Sequence, residues 1–77
     1  MKILVTGIAG LLGSRLSDWI LNNTEHEVIG VDDLSGGYIE NIPTKAHFVK
    51  LNLKNLESLD KIFEEHKPDI VYHFAAY

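Results

Sequence analysis

At 77 residues the chain has room for one small domain and not for two. An apolar share of 45% with 23% charged residues excludes a disordered segment, and a net charge of −4 supplies no basic surface for nucleic acid. There is no cysteine, hence no disulfide framework and no thiolate zinc site, which fits a cytoplasmic protein.

Lys2 to Thr6 is short, apolar and rich in β-branched residues, as a strand buried on both faces should be. Lys2 and the apolar residues after it superficially suggest a signal peptide. Arg15 and Asp18 follow at once and no small-residue cleavage site appears, so secretion is set aside. No apolar run reaches the roughly 18 residues of a membrane span. From Leu11 to about Asn22 the period becomes helical, with Leu12, Leu16, Trp19 and Ile20 as the predicted buried stripe and Arg15 opposite it. Asn22-Asn23-Thr24 supplies turn chemistry at the end of that helix.

Glu27 to Val31 is the second predicted strand and ends in Asp32. Asp33 to Thr44 reads as a loop, broken by Ser35-Gly36-Gly37 and Pro43, with space for a single helical turn around Ile39 to Ile42. Ala46 to Leu51 is the third strand. Asn55 is the predicted N-cap of a second helix to about His66, with Leu56, Leu59, Ile62 and Phe63 facing inward. Glu57 and Lys61 on its outer face form an i, i+4 pair. Pro68 stops this helix, and Asp69 to Phe74 is the fourth strand.

Right-handed crossovers between parallel strands then require the order 3-2-1-4, with one helix on each face: an α/β fold, part of a Rossmann-type doubly wound parallel sheet. In that order Gly7 to Gly13, Asp32 and Phe74-Ala75-Ala76 all fall at C-terminal strand ends, beside the switch point between strands one and four. The fourth strand, Ile70-Val71-Tyr72-His73-Phe74, is left at an open edge with no lysine or proline to discourage pairing. Self-association is the expectation for such a chain.

Three glycines stand where the first strand becomes the first helix: Gly7, Gly10 and Gly13. A helix start leaves backbone N–H groups unpaired and carries about half a positive charge, which suits a phosphate. Gly7 allows the tight turn, Gly10 the approach of a pyrophosphate, and Gly13 the packing of helix on strand. Nineteen positions beyond Gly13 stands Asp32, where a dinucleotide site needs a carboxylate for the adenosine ribose.

Thr6-Gly7-Ile8-Ala9-Gly10-Leu11-Leu12-Gly13 has one residue more between its first two glycines than G-x-G-x-x-G, and resembles the short-chain dehydrogenase/reductase superfamily. Within it the chain is similar to the extended branch, the NAD-dependent nucleotide-sugar epimerases and dehydratases, of the UDP-glucose 4-epimerase kind. Val31-Asp32-Asp33-Leu34-Ser35-Gly36-Gly37, Glu40-Asn41-Ile42-Pro43 and His73-Phe74-Ala75-Ala76 carry that resemblance through the chain. It implies that residues 1–77 are the N-terminal part of an NAD-binding domain, without the substrate domain. The implied cofactor site is Gly7, Gly10, Leu11, Leu12 and Gly13 for the pyrophosphate and Asp32 for the ribose. Asp33, Leu34 and Ser35 lie beside the adenosine, Asn52 and Leu53 by the adenine, and Phe74, Ala75 and Ala76 at the fourth strand's end. Where the family usually has Asp, Asn52 offers its amide oxygen to the adenine amino group; its other reading is a turn residue leading into Asn55.

The resemblance also implies a catalytic Tyr-x-x-x-Lys pair, which these residues lack: Tyr38 is followed four positions on by Ile42, and Tyr72 by Ala76. The implied partner of the complete protein is a nucleotide sugar. The alternative is a sensor or regulator that keeps the cofactor fold without the chemistry. A Tyr-x-x-x-Lys pair downstream of Tyr77 separates the two. The four histidines show no i, i+4 pair, which argues against a zinc site, and His73 is expected to satisfy a local hydrogen bond.

Overall fold

A computed structural model of the chain describes residues 1–74. Strand β1 (Lys2–Thr6) is followed by helix α1 (Leu11–Asn23), β2 (Glu27–Asp32), β3 (His47–Lys50), α2 (Leu56–His66) and β4 (Ile70–His73). The four strands are parallel in the order β3-β2-β1-β4, as the right-handed crossovers require. The long loop between β2 and β3 contains a single 3₁₀ turn, Ile39–Asn41. No helix among the described residues is long and apolar enough to cross a membrane.

Side chains alternate along a strand, so the central strand β1 feeds two cores. Ile3 and Val5 join Ile8, Ile20 and Val28 under α1. Leu4 joins Ile29, Val31, Leu51 and Ile62 under α2. Register sets Thr6 between Val31 and His73, and Asp32 beside Lys50. The ladder runs one bond past β3, where the Leu51 N–H donates to the Asp32 carbonyl at 3.0 Å. Every C-terminal strand end therefore opens on the same rim.

The apolar stripes of the helices are where sequence and structure part. Leu12 and Trp19 are not core residues: they are 65% and 60% exposed. The face that α1 presses on the sheet is Gly13, Ser14, Ser17 and Ile20. A helix seated that closely needs small residues beneath it, which turns the bulky ones to its flank. A Cβ on Gly13 would stand 2.3 Å from the Gly7 carbonyl oxygen, and one on Gly30 would stand 2.3 Å from Ile8 Cδ1. On α2 only Ile62 is buried and Leu59 partly so, while Leu56 and Phe63 are exposed. Of β4, the edge strand among the described residues, Val71 and Tyr72 are exposed.

Candidate functional site

The site is built from the turn that joins β1 to α1. Gly7 has φ 74°, the left-handed region that glycine enters without steric penalty, and its N–H continues the ladder to the Val31 carbonyl at 2.8 Å. The chain then reverses, the Gly10 N–H donating to the Gly7 carbonyl at 3.0 Å. α1 starts there, with the Ser14 N–H donating to the Gly10 carbonyl at 3.0 Å.

Gly10 is the N-cap and brings no side-chain hydrogen bond, and no acidic residue stands in the first turn. The leading N–H groups of α1, those of Leu11, Leu12 and Gly13, thus have no side-chain cap and no carboxylate in the first turn of their own helix to compete for them. The three glycines carry different requirements. Gly7 is fixed by its φ and Gly13 by contact with the turn behind it. A Cβ on Gly10 would meet only the Gly7 carbonyl oxygen, at 3.3 Å, so the open space outside the turn is what a side chain there would fill.

Asp32, half-buried at the end of β2, reaches this turn. Its Oδ2 accepts from the Ala9 N–H at 2.9 Å and its Oδ1 from the Leu34 N–H at 2.8 Å. A carboxylate has about four acceptor sites, so one on each oxygen remains for a ligand hydroxyl. The second bond holds Leu34 at φ 66°, a left-handed conformation uncommon for a residue with a Cβ. Such outliers gather where a site fixes the backbone. Asp33 closes the next turn by accepting from the N–H and the hydroxyl of Ser35, at 2.9 and 2.7 Å, and these bonds lower its pKa.

Ala9 joins the two halves of the rim. Its carbonyl accepts from the Tyr38 N–H at 3.2 Å and from Asn41 Nδ2 at 3.1 Å. Gly37 lies so close that a Cβ on it would stand 2.5 Å from the Ala9 oxygen. The loop after β2 is thereby folded onto the glycine turn. Neither Ala9 nor Gly37 is singled out by the sequence reading, although Gly37 belongs to a recognised breaker and Asn41 to a recognised motif.

The remaining predicted residues sit farther along the rim. Asn52 forms the predicted turn, its Oδ1 accepting from the Lys54 N–H at 2.9 Å and its carbonyl from the Asn55 N–H at 2.8 Å. Leu53 packs at the border of the α2-side core. Phe74 continues the ladder, its N–H donating to the Thr6 carbonyl at 3.1 Å, and its ring stacks with Tyr72 at 6.3 Å. Ala75 and Ala76 lie outside the described residues. His73 Nδ1 shares a 2.6 Å hydrogen bond with the buried Thr6 hydroxyl, the local bond expected of it. An uncapped helix start, an open face at Gly10 and a carboxylate with free acceptor sites therefore meet on one rim, and they suit a phosphorylated ribonucleoside.

Known proteins resemble this chain over nearly all of its length. The UDP-glucose 4-epimerase of Mycolicibacterium smegmatis is 41% identical over 81 residues, covering 99% of this chain and 25% of its own length. The crystal structure of the Thermotoga maritima UDP-glucose 4-epimerase with UDP-glucose superposes with a TM-score of 0.95 at 42% identity, over 99% of this chain and 24% of that one. A Bacillus anthracis dTDP-glucose 4,6-dehydratase in complex with NAD gives 0.91 at 31% identity, over 100% of this chain and 27% of that one. The chain thus spans about a quarter of the length of the relatives it matches. The model of the NAD dependent epimerase/dehydratase family matches residues 3–77, nearly the whole of the sequence, and the chain belongs to that family.

Proposed function

We propose that these residues form the adenosine and pyrophosphate half of an NAD site in a nucleotide-sugar epimerase or dehydratase. The observation that carries this reading is the 2.9 Å bond from the Ala9 N–H to Asp32 Oδ2, which ties the ribose-reading carboxylate to the phosphate-binding turn. In the complete protein, bound NAD would accept a hydride from a sugar carbon and later return it.

The residues of this chain bind and orient. The N–H groups at the start of α1 hold the pyrophosphate beside Gly10, and Gly7 and Gly13 keep that turn tight. Asp32 accepts from the ribose hydroxyls and repels a 2′-phosphate. Leu34, Ser35, Asn52 and Leu53 flank the adenosine, and Phe74 marks the side toward the switch point. The nucleotide sugar, the acid–base pair and the rest of the substrate pocket belong to residues beyond these. The absence of cysteine fits a cytoplasmic enzyme.

Titrating NAD and NADP into the full-length protein, and into its Asp32→Ala and Asp32→Asn variants, tests the reading. NAD should bind more tightly than NADP to the unmutated protein. Losing charge-assisted bonds to the ribose should weaken NAD by about tenfold or more, and Asp32→Asn should narrow the preference without disturbing the fold. Tighter NADP binding by the unmutated protein would overturn the assignment of Asp32.

A further inference from the structure

The strands begin at the rim opposite the glycine turn, and there the molecule has a second concavity. It has a volume of about 310 Å³. Its polar lining comes from Lys2 at the start of β1, His26 and Glu27 at the start of β2, Lys45 and His47 at the start of β3, and His66 at the end of α2. Three of the chain's four histidines and two of its seven lysines and arginines are gathered there, although the net charge of the chain is −4. Scattered in sequence, they meet because a parallel sheet aligns the starts of its strands.

The His47 and His66 rings, from a strand and a helix, stand 4.9 Å apart and form one wall. Their arrangement does not suit a metal, since among the described residues no three His, Asp or Glu side chains converge on one point. It suits an anion. Lysine offers only donors, and an imidazolium donates from both ring nitrogens. Charge-assisted hydrogen bonds to phosphate oxygens are short and strong.

We propose that this cavity binds a small oxyanion of the phosphate type, free or as a phosphomonoester, between Lys2 and Lys45, with His47 and His66 as donors when protonated. The charges facing it set its pH dependence. Favouring the anion are the two lysines and the three histidines. Opposing it are Glu27 and Asp69, whose Oδ2 already accepts from the Lys2 backbone N–H at 2.9 Å. Histidines change charge between about pH 5 and 8, so binding weakens as pH rises through that interval.

The test is calorimetry on the full-length protein saturated with NAD, at constant ionic strength: inorganic phosphate and methyl phosphate at about pH 6, and sulfate, whose charge does not change, at about pH 6 and about pH 8. The cofactor rim is then occupied, so a failure of the NAD reading and a failure of this one are separable. Saturable binding of one anion per chain is expected at the lower pH, and the tighter of phosphate and methyl phosphate identifies the source. Sulfate should weaken about tenfold at the higher pH, and each anion about tenfold in Lys45→Ala and in the His47→Gln, His66→Gln double variant, with NAD affinity unchanged. Lys45 and His47 are exposed, so these variants should keep the circular dichroism of the parent. No saturable binding at the lower pH, or binding that neither pH nor the variants alter, would overturn the proposal.

Discussion

Helix α1 begins at Gly10, which has no side chain to offer, whereas α2 begins at Asn55, whose Oδ1 accepts from the Ser58 N–H at 3.2 Å. α2 is closed at its other end too: Lys67 takes φ 47° and its N–H returns to the Phe63 carbonyl at 2.9 Å. The faces differ as well. α1 lies on the sheet through the small residues Gly13, Ser14 and Ser17 with Ile20, while α2 touches it through Ile62 and the partly buried Leu59. One helix is held by its own ends and a short apolar contact. The other is held by close approach to the turn before it, and its N-terminus is left free for a ligand. An N-terminus meant to bind phosphate cannot also be satisfied by a cap, and the stability forgone there has to come from packing.

Four substitutions probe this contrast. Gly13→Val should have the largest effect, because its Cβ would stand 2.3 Å from backbone that cannot yield. Overpacking of this kind costs about 3 kcal/mol or more, read as a fall in denaturation midpoint. A midpoint equal to the parent's would mean that α1 does not press on the turn at Gly13. Gly10→Val should separate binding from folding. With only a 3.3 Å contact inside the protein, stability should change little, while NAD affinity measured by calorimetry should fall by about a hundredfold, or about 2.7 kcal/mol. Unchanged affinity would make the turn purely structural.

Asn55→Ala removes the cap of α2 and should cost about 1 kcal/mol in chemical denaturation without touching NAD binding. A loss of cofactor affinity in that variant would show that the two helix ends are coupled. The smallest effect is expected at Ser17, which is fully buried and whose Oγ has no hydrogen-bond partner among the described residues. Ser17→Ala removes an unsatisfied hydroxyl and keeps the small face, so stability should stay level or rise by up to about 1 kcal/mol. Clear destabilisation would mean that the hydroxyl has a partner, such as an ordered water.

Sequence alone determined the alternation of strands and helices, the order β3-β2-β1-β4, and the meeting of Gly7, Gly10, Gly13 and Asp32 on one rim. Those follow from local composition and the handedness of crossovers, which act over short stretches and leave a pattern to read. Even the Asn55 cap and the turn at Ile39–Asn41 were legible, because turn and cap chemistry is local. The exposure of Trp19 and Leu12 was not, since periodicity marks the bulkiest stripe whereas the distance between helix and sheet decides which stripe is buried. Nor was the joining of Ala9 to Asp32, Tyr38 and Asn41, or the pressing of Gly37 on Ala9 and of Ile8 on Gly30. These contacts span about 20 to 30 residues and depend on backbones approaching within a Cβ's width. Only the folded chain brings such segments together, so the tertiary structure decides how firmly the rim is held.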